Sequence, residues 1–151
     1  MKPLVILLGA FVVSLLIIRL VTGEFDYSLS GRIAMAAMLA FTAIGHFAFV
    51  EGMTMMMPAF FPFKKQIVYL TGVIEVAAAI GLLVPQLRYL VAWLLILFFV
   101  LILPANINAA INKIDYQKGT TDGKGLNYLW FRVPLQIFFI AWVYFFAVRL
   151  S

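Results

Sequence analysis

Apolar residues run through this chain in five long blocks, at residues 4–21, 33–50, 67–84, 89–111 and 129–148. Each block is close to the roughly 17–25 residues that a helix needs to cross the hydrocarbon of a bilayer. A backbone in hydrocarbon has no water to bond, so it must satisfy its own N–H and C=O groups, which favours helices. Strands of a membrane barrel would alternate with period two, and these blocks are continuous. The pattern therefore predicts an all-α protein, a multi-pass transmembrane bundle of five helices, folded as one domain over residues 1–151.

The connections differ in character. Residues 22–32 are short and polar. Residues 51–66, EGMTMMMPAFFPFKKQ, are apolar, hold two prolines and are too short to span. They read as an interfacial or re-entrant piece, with Lys64 and Lys65 at the headgroups. Pro85, Gln86, Leu87 and Arg88 form a tight turn, which makes the third and fourth helices antiparallel neighbours. Residues 112–127 are the long hydrophilic loop, with Lys113, Lys118 and Lys124 and the turn-forming Gly119, Gly123 and Gly125. The first block also has features of a secretory leader, with Lys2, an apolar run and Val21-Thr22-Gly23 as a cleavage site. Arg19 lies close before that site, so a retained helix is expected.

Composition agrees with the pattern. Hydrophobic residues make up 66% of the chain and charged residues 11%, with a mean hydropathy of +1.10. A soluble domain is about half apolar and a quarter charged. The net charge of +5 does not suggest nucleic acid. The Lys and Arg residues lie at block ends and in loops, where they suit headgroups, and no basic run exists for a phosphate backbone to follow. The chain has no cysteine. That excludes disulfides, thiolate metal sites, cysteine-ligated haem or iron–sulfur clusters, and thiol redox chemistry. Five crossings place Lys2, Lys64, Lys65, Lys113, Lys118, Lys124 and Arg132 on one side, here named side A. Arg19, Arg32, Arg88 and Arg149 fall on the other. The positive-inside rule then favours a cytoplasmic N-terminus and an outer C-terminus, and the expected location is a bacterial inner membrane.

Glu75 stands near the middle of the third block. A carboxylate at mid-bilayer costs roughly 3 kcal/mol or more, so it is usually paired or used. Thr71, Gly72, Ala78 and Ala79 lie at i−4, i−3, i+3 and i+4, a small-residue face that a neighbouring helix can approach closely. Glu75 is therefore expected to face inward, with a polar partner within reach. The alternation of crossings puts His46, Tyr69, Glu75, Asn106, Asn108, Arg132 and Gln136 in the side A half of the bilayer. Four helices and the proline-rich loop could enclose them as a polar pocket. Two readings stand for Glu75. It is a ligand-binding or proton-handling carboxylate, or it ties helices together through His46, Tyr69, an Asn or Arg132.

The other candidates carry similar pairs of readings. His46 is the only histidine, too little for a metal site or for haem with two His ligands. No metal is expected, and His46 reads as a hydrogen-bonded interfacial residue or as the proton partner of Glu75. Pro104-Ala105-Asn106-Ile107-Asn108 should interrupt the fourth helix, with Asn106 closing the kink or meeting a ligand. Arg132-Val133-Pro134 should start the fifth helix, with Arg132 snorkelling to headgroups, or reaching Glu75 or an anionic ligand. There is no glycine-rich phosphate loop and no evident Ser/His/Asp constellation. No catalytic residue is assigned and no resident cofactor is predicted.

The strings AIGHFAF, MMMPAFFPF, VYLTGVIEVAAAIGLLVP and AWLLILFFVLILPANINAA, in that order over residues 43–110, resemble the DoxX-like family of small integral membrane proteins. Gly45, His46, Phe47, Pro58, Pro62, Gly72, Glu75, Gly81, Pro85 and Pro104-Ala105-Asn106 fall on that pattern. The resemblance implies a four-helix core over residues 31–149, with the helix at residues 4–21 as an N-terminal addition. Members of that family range from a small subunit of a thiosulfate:quinone oxidoreductase to a membrane chaperone for acetylcholine receptors. Such a spread does not fix a reaction. The leading expectation is a non-enzymatic accessory or assembly subunit that binds a lipophilic ligand or a partner helix in the pocket around Glu75. Its partners would be the lipid bilayer and either another membrane protein or a second copy of the chain. The alternatives are a membrane subunit of a quinone-linked oxidoreductase, which would bring a quinone to the site, and a proton-coupled small-molecule transporter with Glu75 as carrier.

Overall fold

A computed structural model describes residues 2–150. Its α-helices are α1 (Lys2–Thr22), α2 (Tyr27–Ala48), α3 (Val50–Met56), α4 (Lys64–Leu83), α5 (Arg88–Leu101), α6 (Leu103–Ile111) and α7 (Leu129–Tyr144). A 3-10 turn, Gly125–Tyr128, leads into α7, and a π-helical turn, Phe145–Arg149, ends it. The only extended pairing among the described residues is one bridge between Asp115 and Thr120. With α5 and α6 taken as a single span, five helices are long and apolar enough to cross a membrane.

α2 is the hub. It packs on α1, on α4 and on the end of α7, while α4 packs on α5 and α5 on α7. The chain thus closes a ring of α2, α4, α5–α6 and α7, with α1 laid against α2. α1 contributes a narrow stripe to the core at Leu4, Leu7, Phe11 and Ser14, spaced three, four and three residues apart. That spacing keeps one face of a helix in register with a partner. Val5, Val12, Leu16 and Ile17 are exposed on the rest of α1, as suits a face turned to lipid. Phe11 meets Trp142 edge-on at 5.2 Å and Phe146 at 5.3 Å, and Trp142 Nε1 donates to Gly31 O at 3.0 Å. These contacts seat α1 and α7 on the first half of α2.

Several boundaries differ from the hydropathy pattern. α2 begins at Tyr27, not at residue 33, because Asp26 caps it: the carboxylate accepts from Leu29 N–H at 2.8 Å. An N-cap carboxylate satisfies one of the orphan donors of the first turn. Ser30 and Arg32 are thereby drawn into the bundle, and Arg32 is only 7% exposed. Its guanidinium donates to Leu82 O in the last turn of α4 at 3.3 Å, where a helix leaves carbonyls unpaired and a cation is favoured.

The fourth span breaks at Ile102, two residues before Pro104, which sits in the first turn of α6. Asn106 does not close the break as expected. Gln136 does, by donating from Nε2 to Phe99 O in the last turn of α5. The fifth span starts at Leu129, so Pro134 lies inside α7 and not in its first turn. Its missing N–H leaves Trp130 O without a helical donor, close to the exposed start of the helix.

On the opposite side of the break, α3 and residues 57–63 lie over the ends of α2, α4 and α6. Lys64 Nζ donates to Met57 O at 3.1 Å, Lys65 Nζ pairs with Glu51 at 2.6 Å, and Asn108 Nδ2 donates to Met56 O at 2.8 Å. Phe63 enters α4 with φ of 53°, a backbone region that costs energy for a residue with a Cβ. Residues 112–124 fold against α3, where Phe49 and Tyr116 meet edge-on at 6.1 Å.

Candidate functional site

The site forms at a close approach of α2 and α4. Gly72 of α4 makes the approach: a Cβ there would lie 2.8 Å from His46 Cβ and 3.1 Å from a ring carbon of Phe47. Gly72, Glu75, Ala78, Ala79 and Leu82 are buried along this face, as the small-residue spacing leads one to expect. Glu75 is 5% exposed. Its Oε1 lies 3.5 Å from His46 Nε2. Its Oε2 is buried and has no hydrogen-bond partner in the protein.

The other ring nitrogen of His46 is held from α4. Nδ1 lies 3.2 Å from Val68 O and 2.9 Å from Thr71 Oγ1. Thr71 Oγ1 itself lies 2.8 Å from Val68 O and donates to it, the usual back-bond of a helical threonine. One side of the imidazole is therefore tied to the α4 backbone, and the other faces a half-satisfied carboxyl. A hydrogen bond that orients one imidazole nitrogen fixes what the other can do.

The remaining sequence candidates divide. Asn106, Gln136 and Arg132 form a separate chain between α6 and α7. Asn106 Nδ2 donates to Gln136 Oε1 at 3.3 Å, and Arg132 Nη2 donates to Asn106 Oδ1 at 3.1 Å. With Gln136 bonded to Phe99 O, this chain repairs the helix break, and Arg132 uses a donor on Asn106. Asn108 is a tether, donating to Met56 O and accepting from Asn112 Nδ2 at 3.0 Å. Tyr69 stands apart. It is 45% exposed, with its ring 5.9 Å from that of Phe47. The seven candidates thus resolve into a His46–Glu75 pair, an Asn106–Gln136–Arg132 chain, a tether and an outlying tyrosine.

Two contributors escaped the sequence reading. Thr71 was visible as a small residue one turn before Glu75, yet its hydroxyl is the group that meets His46. Arg32, a loop cation by hydropathy alone, enters the bundle because the Asp26 cap extends α2. A groove of about 670 Å³ lies elsewhere, beside the α1–α2 turn, lined by Ile17, Val21, Glu24, Phe25, Tyr27 and Leu150 among others. None of the seven candidates lines it. Among the described residues no group of three or more His, Asp or Glu side chains is placed to hold a metal ion.

Residues 35–147 match a family described as a domain of unknown function, DUF8561. The match covers most of the chain, from the third turn of α2 to the π-helical turn, and the chain belongs to that family. α1 lies outside it. No curated protein and no solved structure matches the chain.

Proposed function

We propose that this protein is an integral membrane accessory or assembly subunit that receives a lipophilic ligand or a partner helix at the buried His46–Glu75 pair. The observation that carries the reading is the unpartnered Oε2 of Glu75, buried inside a helix long and apolar enough to span a bilayer. A buried polar atom without a partner costs about 1–3 kcal/mol. A ligand group that bonds it recovers that cost, and this gives the site a handle in an apolar setting. The one hydroxyl beside the pair, Thr71 Oγ1, is engaged by Val68 O at 2.8 Å, which favours binding over catalysis. The loop of α3 and residues 57–63, with exposed Phe60 and Phe63 and with Lys64 and Lys65, suits the headgroup layer. The lysine-rich side is taken as cytoplasmic, in a bacterial inner membrane. The strings AIGHFAF, MMMPAFFPF, VYLTGVIEVAAAIGLLVP and AWLLILFFVLILPANINAA support a kinship with the DoxX-like proteins.

A quinone-linked membrane subunit is the second reading. It is favoured by one observation, that His46 Nε2 and Glu75 Oε1 face each other at 3.5 Å and can exchange a proton after a small approach.

The test is native mass spectrometry of the full chain in lipid nanodiscs, with Glu75→Leu beside it. The wild-type chain is expected to retain a lipophile or a partner subunit that the variant loses while staying folded. Identical bound species in both would refute the role of Glu75.

A further inference from the structure

The hydrogen bonds around His46 fix the proton inventory of the pair. Nδ1 faces Val68 O, and Thr71 Oγ1 has its own proton directed at the same carbonyl. With the threonine proton on that back-bond, Nδ1 faces only oxygen lone pairs, so the tautomer assigned here carries its hydrogen on Nδ1. Nε2 and Oε1 then cannot both be bare, because two lone pairs would face each other across 3.5 Å in a low-dielectric interior. One further proton lies between them. If it sits on Nε2, the pair is imidazolium and carboxylate. If it sits on Oε1, the pair is imidazole and carboxylic acid. Both arrangements carry no net charge, which suits a mid-bilayer site.

In both arrangements Oε2 bears no hydrogen. It is a carboxylate oxygen in the first and a carbonyl oxygen in the second. The open valence of the site is therefore an acceptor, whichever way the proton lies.

We propose that the His46–Glu75 site selects lipophilic molecules that present a hydrogen-bond donor, an O–H or N–H group, over those that can only accept. This rests on the binding reading above and names its ligand class: phenolic, quinol-like or alcoholic lipophiles bind more tightly than quinones, ethers and esters of the same shape. Thr71 and the Val68 carbonyl act as positioning groups, since they hold the imidazole proton on Nδ1 and so keep Oε2 an acceptor.

The test uses the full chain in nanodiscs, with a purification tag that adds no histidine. Three probes of one size are titrated: 4-hexylphenol, its methyl ether and hexyl-1,4-benzoquinone. The phenol is expected to bind about threefold to tenfold tighter than the ether, the share one hydrogen bond supplies. Partitioning into lipid works against this order, because the ether is the more apolar probe. Phenol binding should survive Glu75→Gln, whose amide can donate to Nε2 and leave its oxygen as the acceptor, and should be lost in Glu75→Leu. Because His46 is the only histidine, histidine-specific 15N labelling reads its two nitrogens directly, and Nδ1 should be the protonated one in the free protein. Equal binding of phenol and ether, with both lost in Glu75→Leu, would overturn the donor selectivity and leave the binding reading standing. An unprotonated Nδ1 would overturn the proton assignment by itself. Failure of all three probes to bind would overturn both.

Discussion

Gly72→Ala is the sharpest perturbation of the bundle, because its cost follows from one distance. The added Cβ would meet His46 Cβ at 2.8 Å and the Phe47 ring at 3.1 Å. Carbon atoms rest at about 3.5–4.0 Å, so α2 and α4 must part by roughly 1 Å at this point. Neither neighbour can swing away easily. His46 is bonded to Val68 O and Thr71, and a Cβ moves only with its backbone. Overpacking of this kind costs about 1–3 kcal/mol, which for a chain of this size lowers Tm by about 2–12 °C. The assay is thermal unfolding in a mild detergent, with Gly9→Ala as the control. Gly9 has open space around its Cβ position and sits within α1, so Ala there should be neutral or slightly stabilising. The same parting would lengthen the His46–Glu75 gap beyond its present 3.5 Å and weaken phenol binding. A Gly72→Ala chain as stable as wild type would refute the close approach of the two helices.

Three further outcomes follow from single contacts. Gln136→Leu removes the amide that serves Phe99 O and Asn106, and should cost about 0.6–2 kcal/mol in chemical unfolding, while Asn106→Leu, which leaves Phe99 O bonded, should cost less. Equal losses would show that the break is not closed by Gln136. Trp142→Phe keeps the aromatic contacts but removes the indole donor to Gly31 O, whose helical bond within α2 remains, and a loss of about 0.5–1.5 kcal/mol is expected; no change would mean that the indole bond adds nothing net. In the hydrophilic loop, the Thr120 hydroxyl donates to the Asp122 carboxylate and holds its pKa below the ordinary carboxylate range, with Lys118 adding to the effect. A depressed pKa gives order that is complete above the ordinary value and lost as pH falls through the lowered one. Carboxyl 13C titration should therefore show Asp122 moving back toward about 3.9 in Thr120→Val, and an unmoved midpoint would exclude the hydroxyl as cause.

The five spans were legible because an apolar run of sufficient length has few other solutions, and the inward face of Glu75 was legible because its i±3 and i±4 neighbours are small. The grouping of the polar residues was only partly so. Tyr69 and Glu75 share a helix but lie six residues apart, and at about 100° per residue that sets them about 120° apart around the axis. Depth along the span placed Tyr69 beside the site, and azimuth removes it. Thr71, at i−4, has the right azimuth and supplies the hydroxyl. The partner of a freed carbonyl is a tertiary matter. Phe99 O is met by Gln136 from another helix, and nothing local to residues 104–108 announces it. The start of α2 was obscured by hydropathy itself, since Asp26, Ser28, Ser30 and Arg32 depress the average while the Asp26 cap extends the helix.

The His46–Glu75 pair is better explained by use than by stability. α2 and α4 are already joined by Gly72, Ala78, Ala79 and Leu82, whose side chains pack through shape, and by the Arg32 bond to Leu82 O. A buried ion pair is often no more stabilising than apolar residues of the same volume. Here the contact is long, and one carboxyl oxygen is left without a partner. Breaking such a pair is severe when it strands a charge, but His46 can be neutral with its Nδ1 proton still bonded to Val68 O. Glu75→Leu should therefore fold, with a Tm within a few degrees of wild type or above it. A leucine variant that is at least as stable while losing bound lipophile would place the carboxyl among groups kept for what they bind. Its collapse in detergent would instead make Glu75 a structural tie between α2 and α4, the plainer of the two roles open to it.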